Sequence, residues 1–235
     1  MVETATTLVL LDIDGTLVSG GPAKEAFEIA MLAVYETHGA IEGFDFSGKT
    51  DPQIARELLL GSGFTDERID ASLPDLWERY LAELEARLLD EPMYLLPGVP
   101  ELLDRLDAHP AVVVAIVTGN IVQGARLKLA SVGLAEGLSI GGFGSDHEDR
   151  NLLAPVAIAR AEEACGVTFA PERTVVVGDT PRDVACGQQA GTRTVAVATG
   201  RCDAASLRAT GADRVFQDFL DTDEVMRELV RGTMP

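Results

Sequence analysis

The run "LVLLDIDGTLVSGG" (8–21) ends an apolar stretch in two carboxylates, Asp12 and Asp14, with only Ile13 between them. On a strand, residues two apart lie on one face, so both side chains can point the same way. A chain turn at Gly15 lets both face one pocket, with the Thr16 hydroxyl free to hydrogen-bond nearby. Acids beside an apolar strand are costly unless something neutralises them. A divalent cation does so, and Mg²⁺ takes a small number of carboxylates plus water. An ordinary Asp-rich turn would carry the same letters. A second acid pair lies in "VVVGDTPRDVACG" (175–187), where Asp179 ends a Val run and Asp183 follows. A helix starting near Pro181, a residue suited to the first helical position, would turn both acids towards one cavity. The same two acids also suit the cap and first turn of that helix, and the two readings are compatible. In "VVVAIVTGN" (112–120), Thr118 ends a strand-like run, and Gly119 and Asn120 open a helix. A hydroxyl plus free N–H groups at a helix start make an anion cradle. A bound anion also calls for a basic side chain. The lysines are Lys24, Lys49 and Lys128, and Arg150 stands before a helix in "GSDHEDRNLLAP" (144–155).

These residues need a scaffold that brings them together. Val/Ile-rich runs recur at 7–13, 111–119, 138–143, 173–179 and 193–200, with a sixth candidate at 213–217. They are continuous rather than alternating, as strands covered on both faces should be. Helix-like stretches follow at 99–109, 121–132, 152–165, 182–190, 203–210 and 219–231. Alternating strands and helices predict an α/β fold: a Rossmann-like parallel sheet core flanked by helices. The rhythm breaks between residues 13 and 111, where no convincing strand occurs. That interval reads as helices at about 23–38, 51–61 and 66–90, the last broken at Pro74. The excess predicts a small α-helical domain over 20–93, inserted into a core of 1–19 and 94–235. "SGGP" (19–22) and "EPMYLLPG" (91–98) are the candidate hinges. Such an insertion stands over the carboxyl ends of the strands, where open α/β sheets bind ligands.

Composition bounds the partners. The chain has 235 residues, 46% hydrophobic, with 38 acids against 19 Lys plus Arg and a formal charge of −19. An even, strongly acidic surface repels nucleic acid and anionic membranes, so neither is an expected partner. It also means that an anionic substrate needs a locally positive site, which a divalent metal supplies. No apolar run reaches the ~18 residues of a membrane span. "MVETATT" has no basic n-region, so no signal peptide is expected and a cytoplasmic protein is. Cys165, Cys186 and Cys202 are widely spaced and read as free thiols in a reducing compartment. His38, His109 and His147 show no ligand spacing.

DxDGTL after the first strand, Thr118 after the second, a basic residue before a helix and GDxxxD after a later strand together resemble the haloacid dehalogenase (HAD) superfamily. The likeness runs from Asp12 to Asp183 in the family's order, and the insertion resembles its helical type 1 cap. "GTLVSGG", "SGKTDPQI" (47–54) and "LPGVPELLDRL" (96–106) look most like phosphoglycolate phosphatase-type members. The resemblance implies a Mg²⁺-dependent phosphatase acting on a small phosphorylated metabolite. Asp12 would attack the phosphate and become an aspartyl phosphate. Asp14 would protonate the leaving oxygen and then activate water. The metal would be held by Asp12, the backbone carbonyl of Asp14, Asp179 and Asp183, the last directly or through water. Thr118 and Arg150 would hold the transferring oxygens, with Gly15, Gly119 and Asn120 lining the phosphate site. The family usually carries Lys at the third motif where this chain has "DRN"; Arg150 is fully charged and binds phosphate oxygens as a fork, with Arg160 in reserve. Lys49, in the cap's "GKTD", would contact the substrate's non-reacting end or stand as a solvated loop lysine.

Two other chemistries use the same core. A phosphoglucomutase-like transferase needs several basic groups in the cap, and here Lys49 and Arg56 are the main candidates. A dehalogenase needs the nucleophile but neither the second acid nor a metal, and Asp14 is present. A non-catalytic binding module would have lost Asp12, Asp14 or Asp179, and all three are there. A monomer and a homodimer are equally compatible with the sequence.

Overall fold

The computed structural model describes residues 6–231, so the reading of the first residues of "MVETATT" lies outside them. Among the described residues the main sheet has six strands, all parallel: β1 (Thr7–Leu11), β4 (Val112–Thr118), β5 (Gly141–Phe143), β6 (Thr174–Gly178), β7 (Arg193–Val197) and β8 (Arg214–Phe216). Their order is β5-β4-β1-β6-β7-β8. The chain winds outward from β1 to β5 on one side and from β6 to β8 on the other. The carboxyl end of β1 is therefore a topological switch point, where such sheets form a crevice. The continuous apolar character of β1 follows from its central place. Val9 and Leu11 join the apolar cluster containing Leu102, Leu106, Val225 and Leu229 of the helices α4 (Val99–Asp107) and α9 (Thr222–Leu229). Leu8 and Leu10 face the opposite layer, with Leu153, Ala157 and Ala161 of α6 (Leu153–Cys165). Successive side chains alternate faces, and both faces here are covered.

Between β1 and β4 the chain runs through α1 (Ala23–Tyr35), α2 (Asp51–Leu60) and α3 (Asp66–Leu88). These helices bury Met31, Leu58, Ile69, Leu76, Tyr80 and Leu84, and Phe27 meets Tyr80 edge-on at 5.8 Å. The expected interruption at Pro74 does not occur, and α3 is continuous through it. Pro74 cannot donate to the carbonyl one turn back, at a cost of about 3 kcal/mol. The buried stripe Ile69, Leu76, Tyr80, Leu84 and Leu88 outweighs that, each large apolar side chain contributing about 1.5–3 kcal/mol. α1 ends earlier than expected, because Glu36 takes a left-handed conformation with φ of 58°. At the two candidate hinges lies a feature that the sequence reading lacked. β2 (Val18–Gly20) and β3 (Met93–Leu95) pair antiparallel, with Ser19 opposite Tyr94. The remaining helices α5 (Val122–Ser131), α7 (Pro181–Gln189) and α8 (Ala204–Ala209) follow β4, β6 and β7 as expected. No helix among the described residues is long and apolar enough to cross a membrane.

Candidate active site

Three neighbouring strands deliver the site. Leu11 stands opposite Ile116 of β4 and Val177 of β6, so Asp12, Thr118 and Asp179 emerge together at one edge. The Asp12 N–H still donates to the Val177 carbonyl at 2.9 Å, which extends the ladder to the acid itself. The chain then turns. Gly15 has φ of 84°, and a Cβ there would lie 2.4 Å from an Asp179 oxygen, so only glycine fits. The Thr16 hydroxyl donates to Asp179 at 3.4 Å. Asp12, Asp14, Gly15, Thr118, Gly119, Asn120, Arg150 and Asp179 all line one cavity of about 470 Å³, and Lys24, Lys49 and Lys128 line it too.

Arg150 is buried and reaches the centre of the site. Its Nη2 donates to Asp12 Oδ1 at 2.7 Å and to Asp183 Oδ1, and Nη1 donates to the Gly48 carbonyl at 3.1 Å. Its Nε is buried without a partner. Arg160, the reserve candidate, is instead paired with Asp146 and the Gly141 carbonyl and does not line the cavity. Asp183 carries both roles considered from the sequence. Its Oδ2 accepts from the Thr180 N–H and hydroxyl in a capping box that starts α7. Its other oxygen faces the site through Arg150.

Asp12, Asp179 and Asp183 are all buried, and one ligand oxygen from each lies within 4.8 Å of the others. Burial pushes the Asp12 carboxyl up to about 7; Asp183 and Asp14 push the same way, and Arg150 opposes them. Burial likewise pushes Asp179 up to about 8, with Asp183 and Asp12 adding to it. More negative charge is gathered here than Arg150 offsets. A divalent cation fits this donor set: hard oxygen ligands close together, with an excess of charge to neutralise. The Asp14 carboxylate lies outside that group and is turned to another partner.

That partner is Lys128 of α5, whose Nζ sits 2.7 and 2.8 Å from the two Asp14 oxygens and 2.6 Å from Asn120 Oδ1. Asn120 Nδ2 donates to Asp14 at 2.6 Å and to the Thr118 hydroxyl oxygen at 2.8 Å. About half of the Asp14 side chain faces the open cavity, 45% by exposure. Burial of the rest works to raise its pKa, but the Lys128 ammonium and the Asn120 amide hold the carboxyl below its usual range. The role of Lys128 was missed from the sequence. The signal was there: Lys128 stands three and four residues after Ala125 and Gly124 on the buried stripe of α5, a place where a lysine needs a partner.

Of the anion cradle expected at the start of α5, the N–H groups of Asn120, Ile121 and Val122 are engaged within the protein. The Asn120 N–H goes to the Thr118 hydroxyl oxygen, Ile121 N–H to Asp51 Oδ2 at 2.8 Å, and Val122 N–H to Ser145 Oγ at 2.9 Å. The side chains of Thr118 and Asn120 still face the cavity, and the Gly119 carbonyl accepts from the Asp51 N–H at 2.8 Å. Asp51 is a second residue that sequence reasoning missed. Its carboxyl is pushed up to about 6 by burial, with Lys128 opposing. Lys49 pairs with Glu57 and stacks over the Phe44 ring at 4.1 Å, with its side chain 10% exposed, so it is no solvated loop lysine.

Known proteins resemble this chain over most of its length. The chain is 26% identical over 225 residues to a phosphoglycolate phosphatase of Synechococcus elongatus, covering 95% of this chain and 98% of that one. It is 27% identical over 203 residues to an N-acetylmuramic acid 6-phosphate phosphatase of Pseudomonas aeruginosa, covering 82% of this chain and 81% of that one. A crystal structure of a hydrolase from Pseudomonas syringae shares the fold with a TM-score of 0.68 at 23% identity, over 96% of this chain and all of that one. The haloacid dehalogenase-like hydrolase family matches residues 6–191, the stretch that holds every acid of the site, and the chain belongs to that family of hydrolases.

Proposed function

We propose that the protein is a Mg²⁺-dependent phosphatase that hydrolyses a small phosphomonoester through an aspartyl phosphate on Asp12, with the helical insertion as its cap. One observation carries this reading: Asp12 and Asp179 at neighbouring strand ends meet the buried Arg150, from the segment before α6, in a single cavity, with Asp183 close beside them. An Asp12 oxygen attacks the phosphorus, and the bond to the leaving oxygen breaks. Arg150 and the Thr118 hydroxyl hold the transferring oxygens as charge develops on them. Asp14 gives a proton to the leaving oxygen and then takes one from the water that hydrolyses the aspartyl phosphate. Asp12, Asp179, Asp183 and the Asp14 carbonyl would hold Mg²⁺, which when bound neutralises charge between the carboxylates and an incoming phosphate.

Both curated relatives are named as phosphatases of small phosphate esters, which supports the substrate class. Lys24 and Arg201 also line the cavity, but neither of the two cap residues expected to hold a second phosphate is free to do so. Arg56 is tied to Asp66, Asp70 and Glu148 and does not line the cavity, and Lys49 is paired with Glu57. This favours hydrolysis over a mutase. The test is p-nitrophenyl phosphate turnover with and without Mg²⁺, in the wild type and in Asp12→Asn. Metal-dependent release of phosphate is expected, lost by at least ~10³-fold in a folded Asp12→Asn. Absent metal-dependent turnover, or an active Asp12→Asn, would overturn the reading.

A further inference from the structure

Helix α5 begins without a cap of its own. The residue at its N-cap position is Ile121, whose side chain has no acceptor. Helix starts favour Ser, Thr, Asp or Asn at that position, because the first N–H groups lack partners within the helix. The Ile121 N–H itself finds its acceptor in the helical insertion, some seventy positions earlier in the chain. Asp51 Oδ2 accepts from the Ile121 N–H at 2.8 Å, while the Asp51 N–H donates to the Gly119 carbonyl, also at 2.8 Å. The exchange is reciprocal: the first turn of α2 and the turn before α5 satisfy each other.

Three further contacts hold the segment before α2 against the core. Thr50 is fully buried; its hydroxyl oxygen caps α2 by accepting from the Gln53 N–H, and its hydroxyl donates to the Glu148 carbonyl at 2.7 Å. The Gly48 carbonyl takes Arg150 Nη1. At Gly119 the backbones pass so closely that a Cβ would lie 2.2 Å from the Lys49 carbonyl oxygen. The site depends on what lies just beyond this junction. Thr118 and Asn120 flank Gly119, and Lys128 stands on the helix that Asp51 caps. Asn120 and Lys128 are the groups that hold Asp14.

We propose that Asp51 is a positioning residue: from the helical insertion it caps α5 and thereby holds Asn120 and Lys128 in register with Asp14. It lines the same cavity and its charge acts on Lys128 and Asp14, but its hydrogen bonds go to the turn before α5, and Asp51→Asn, which keeps the oxygen and drops the charge, separates the two effects. The proposal rests on the phosphatase reading for its kinetic consequence but not for its structural one.

The experiment therefore has two readouts on the intact protein: amide hydrogen exchange over 118–124, and steady-state p-nitrophenyl phosphate hydrolysis with Mg²⁺. Asp51→Ala removes the acceptor. Exchange at Ile121 should rise about fivefold to thirtyfold, the range expected for a lost helix cap. The kcat should fall about tenfold to hundredfold, as a small misplacement of acid–base groups does, with KM changing far less. Asp51→Asn keeps an oxygen facing Ile121 and should restore the protection and most of kcat. A rescue of this kind separates positioning from general loss of stability. If Asp51→Ala does not fold, Gly119→Ala strains the same junction from the other side and should show the same pair of changes. Unchanged exchange at Ile121 in Asp51→Ala overturns the proposal. So does unchanged kcat in an active enzyme, or an Asp51→Asn no better than Asp51→Ala. If the wild type itself shows no metal-dependent turnover, the phosphatase reading fails, and the exchange data alone decide whether Asp51 caps α5.

Discussion

Lys128 shows how much of this site is decided by single contacts. A lysine that is 4% exposed is retained only if its charge is paired, and Asp14 and Asn120 pair it. The ammonium aims Asp14 and favours its carboxylate form, the form that takes a proton from water, while the open half of Asp14 remains available to the cavity. Lys128→Met keeps the side-chain length and removes the charge. Asp14 and Asn120 then lose their common partner, and kcat for p-nitrophenyl phosphate is expected to fall about 10²-fold, the usual worth of one acid–base group. A variant with wild-type kcat would show that Lys128 is only structural. The sequence makes Asp12, Asp14 and Asp179 legible because each stands where an apolar run ends, and Asp183 because it follows at a helix start marked by proline. Lys128 and Asp51 stand on helices with no strand end just before them. Their partners lie 114 and 70 positions away, beyond any local pattern.

The elements show where periodicity suffices and where it does not. The buried strands were legible as continuous Val/Ile runs, because a strand covered on both faces has no polar side to show. β2 and β3 were not, since three-residue strands carry no periodicity. Their pairing joins both connections to the helical insertion, where the sequence shows only Gly/Pro-rich hinges. Pro74 carries the opposite lesson. A proline inside a helix reads as a break, yet the packing of α3 against α1 and α5 holds the helix through it. If so, Pro74 is a local cost tolerated for other reasons. Pro74→Ala should stabilise the protein by about 1–2 kcal/mol, the regained helix bond less the greater freedom of the unfolded chain. In a chain of this length that raises Tm by a few degrees, roughly 2–4 °C per kcal/mol. A lower Tm by thermal unfolding would mean that the ring itself packs favourably.

At the scale of the whole molecule, charge is the governing quantity. A chain of formal charge −19 gathers buried carboxylates at one strand edge. Asp12 is held at about 7 and Asp179 at about 8, well above the ordinary 3.8. Without metal, the folded protein retains protons between about pH 4 and 8 that the unfolded chain has released. Stability then falls as pH rises through that window, the sign that linkage requires. Asp51, held at about 6, adds to the fall between about 4 and 6. A divalent cation competes for the same oxygens and binds better as they lose protons. Mg²⁺ should therefore raise Tm more at pH 8 than at pH 5.5. At a hundredfold excess over Kd the gain is about 2.7 kcal/mol, or roughly 5–10 °C. Thermal melts with and without Mg²⁺ at the two pH values check this. An equal shift at both, or none, would place the cation elsewhere.

By itself the sequence determined the α/β class, the inserted helical stretch and the acids of the site. The class, the helices and the acids follow from local rules, apolar runs that end in a charge, helix starts marked by proline and glycine where the chain must turn; Arg150 was a candidate as a basic residue before a helix and through the family resemblance. The tertiary structure decided how those pieces are wired. It turned the Asp14 carboxylate to Lys128 rather than to the other acids, filled the N–H groups before α5 that had looked free for an anion, and capped that helix from Asp51. Buried polar groups must find partners. Which partners they find depends on which segments the fold brings together, and a one-dimensional pattern does not carry that information.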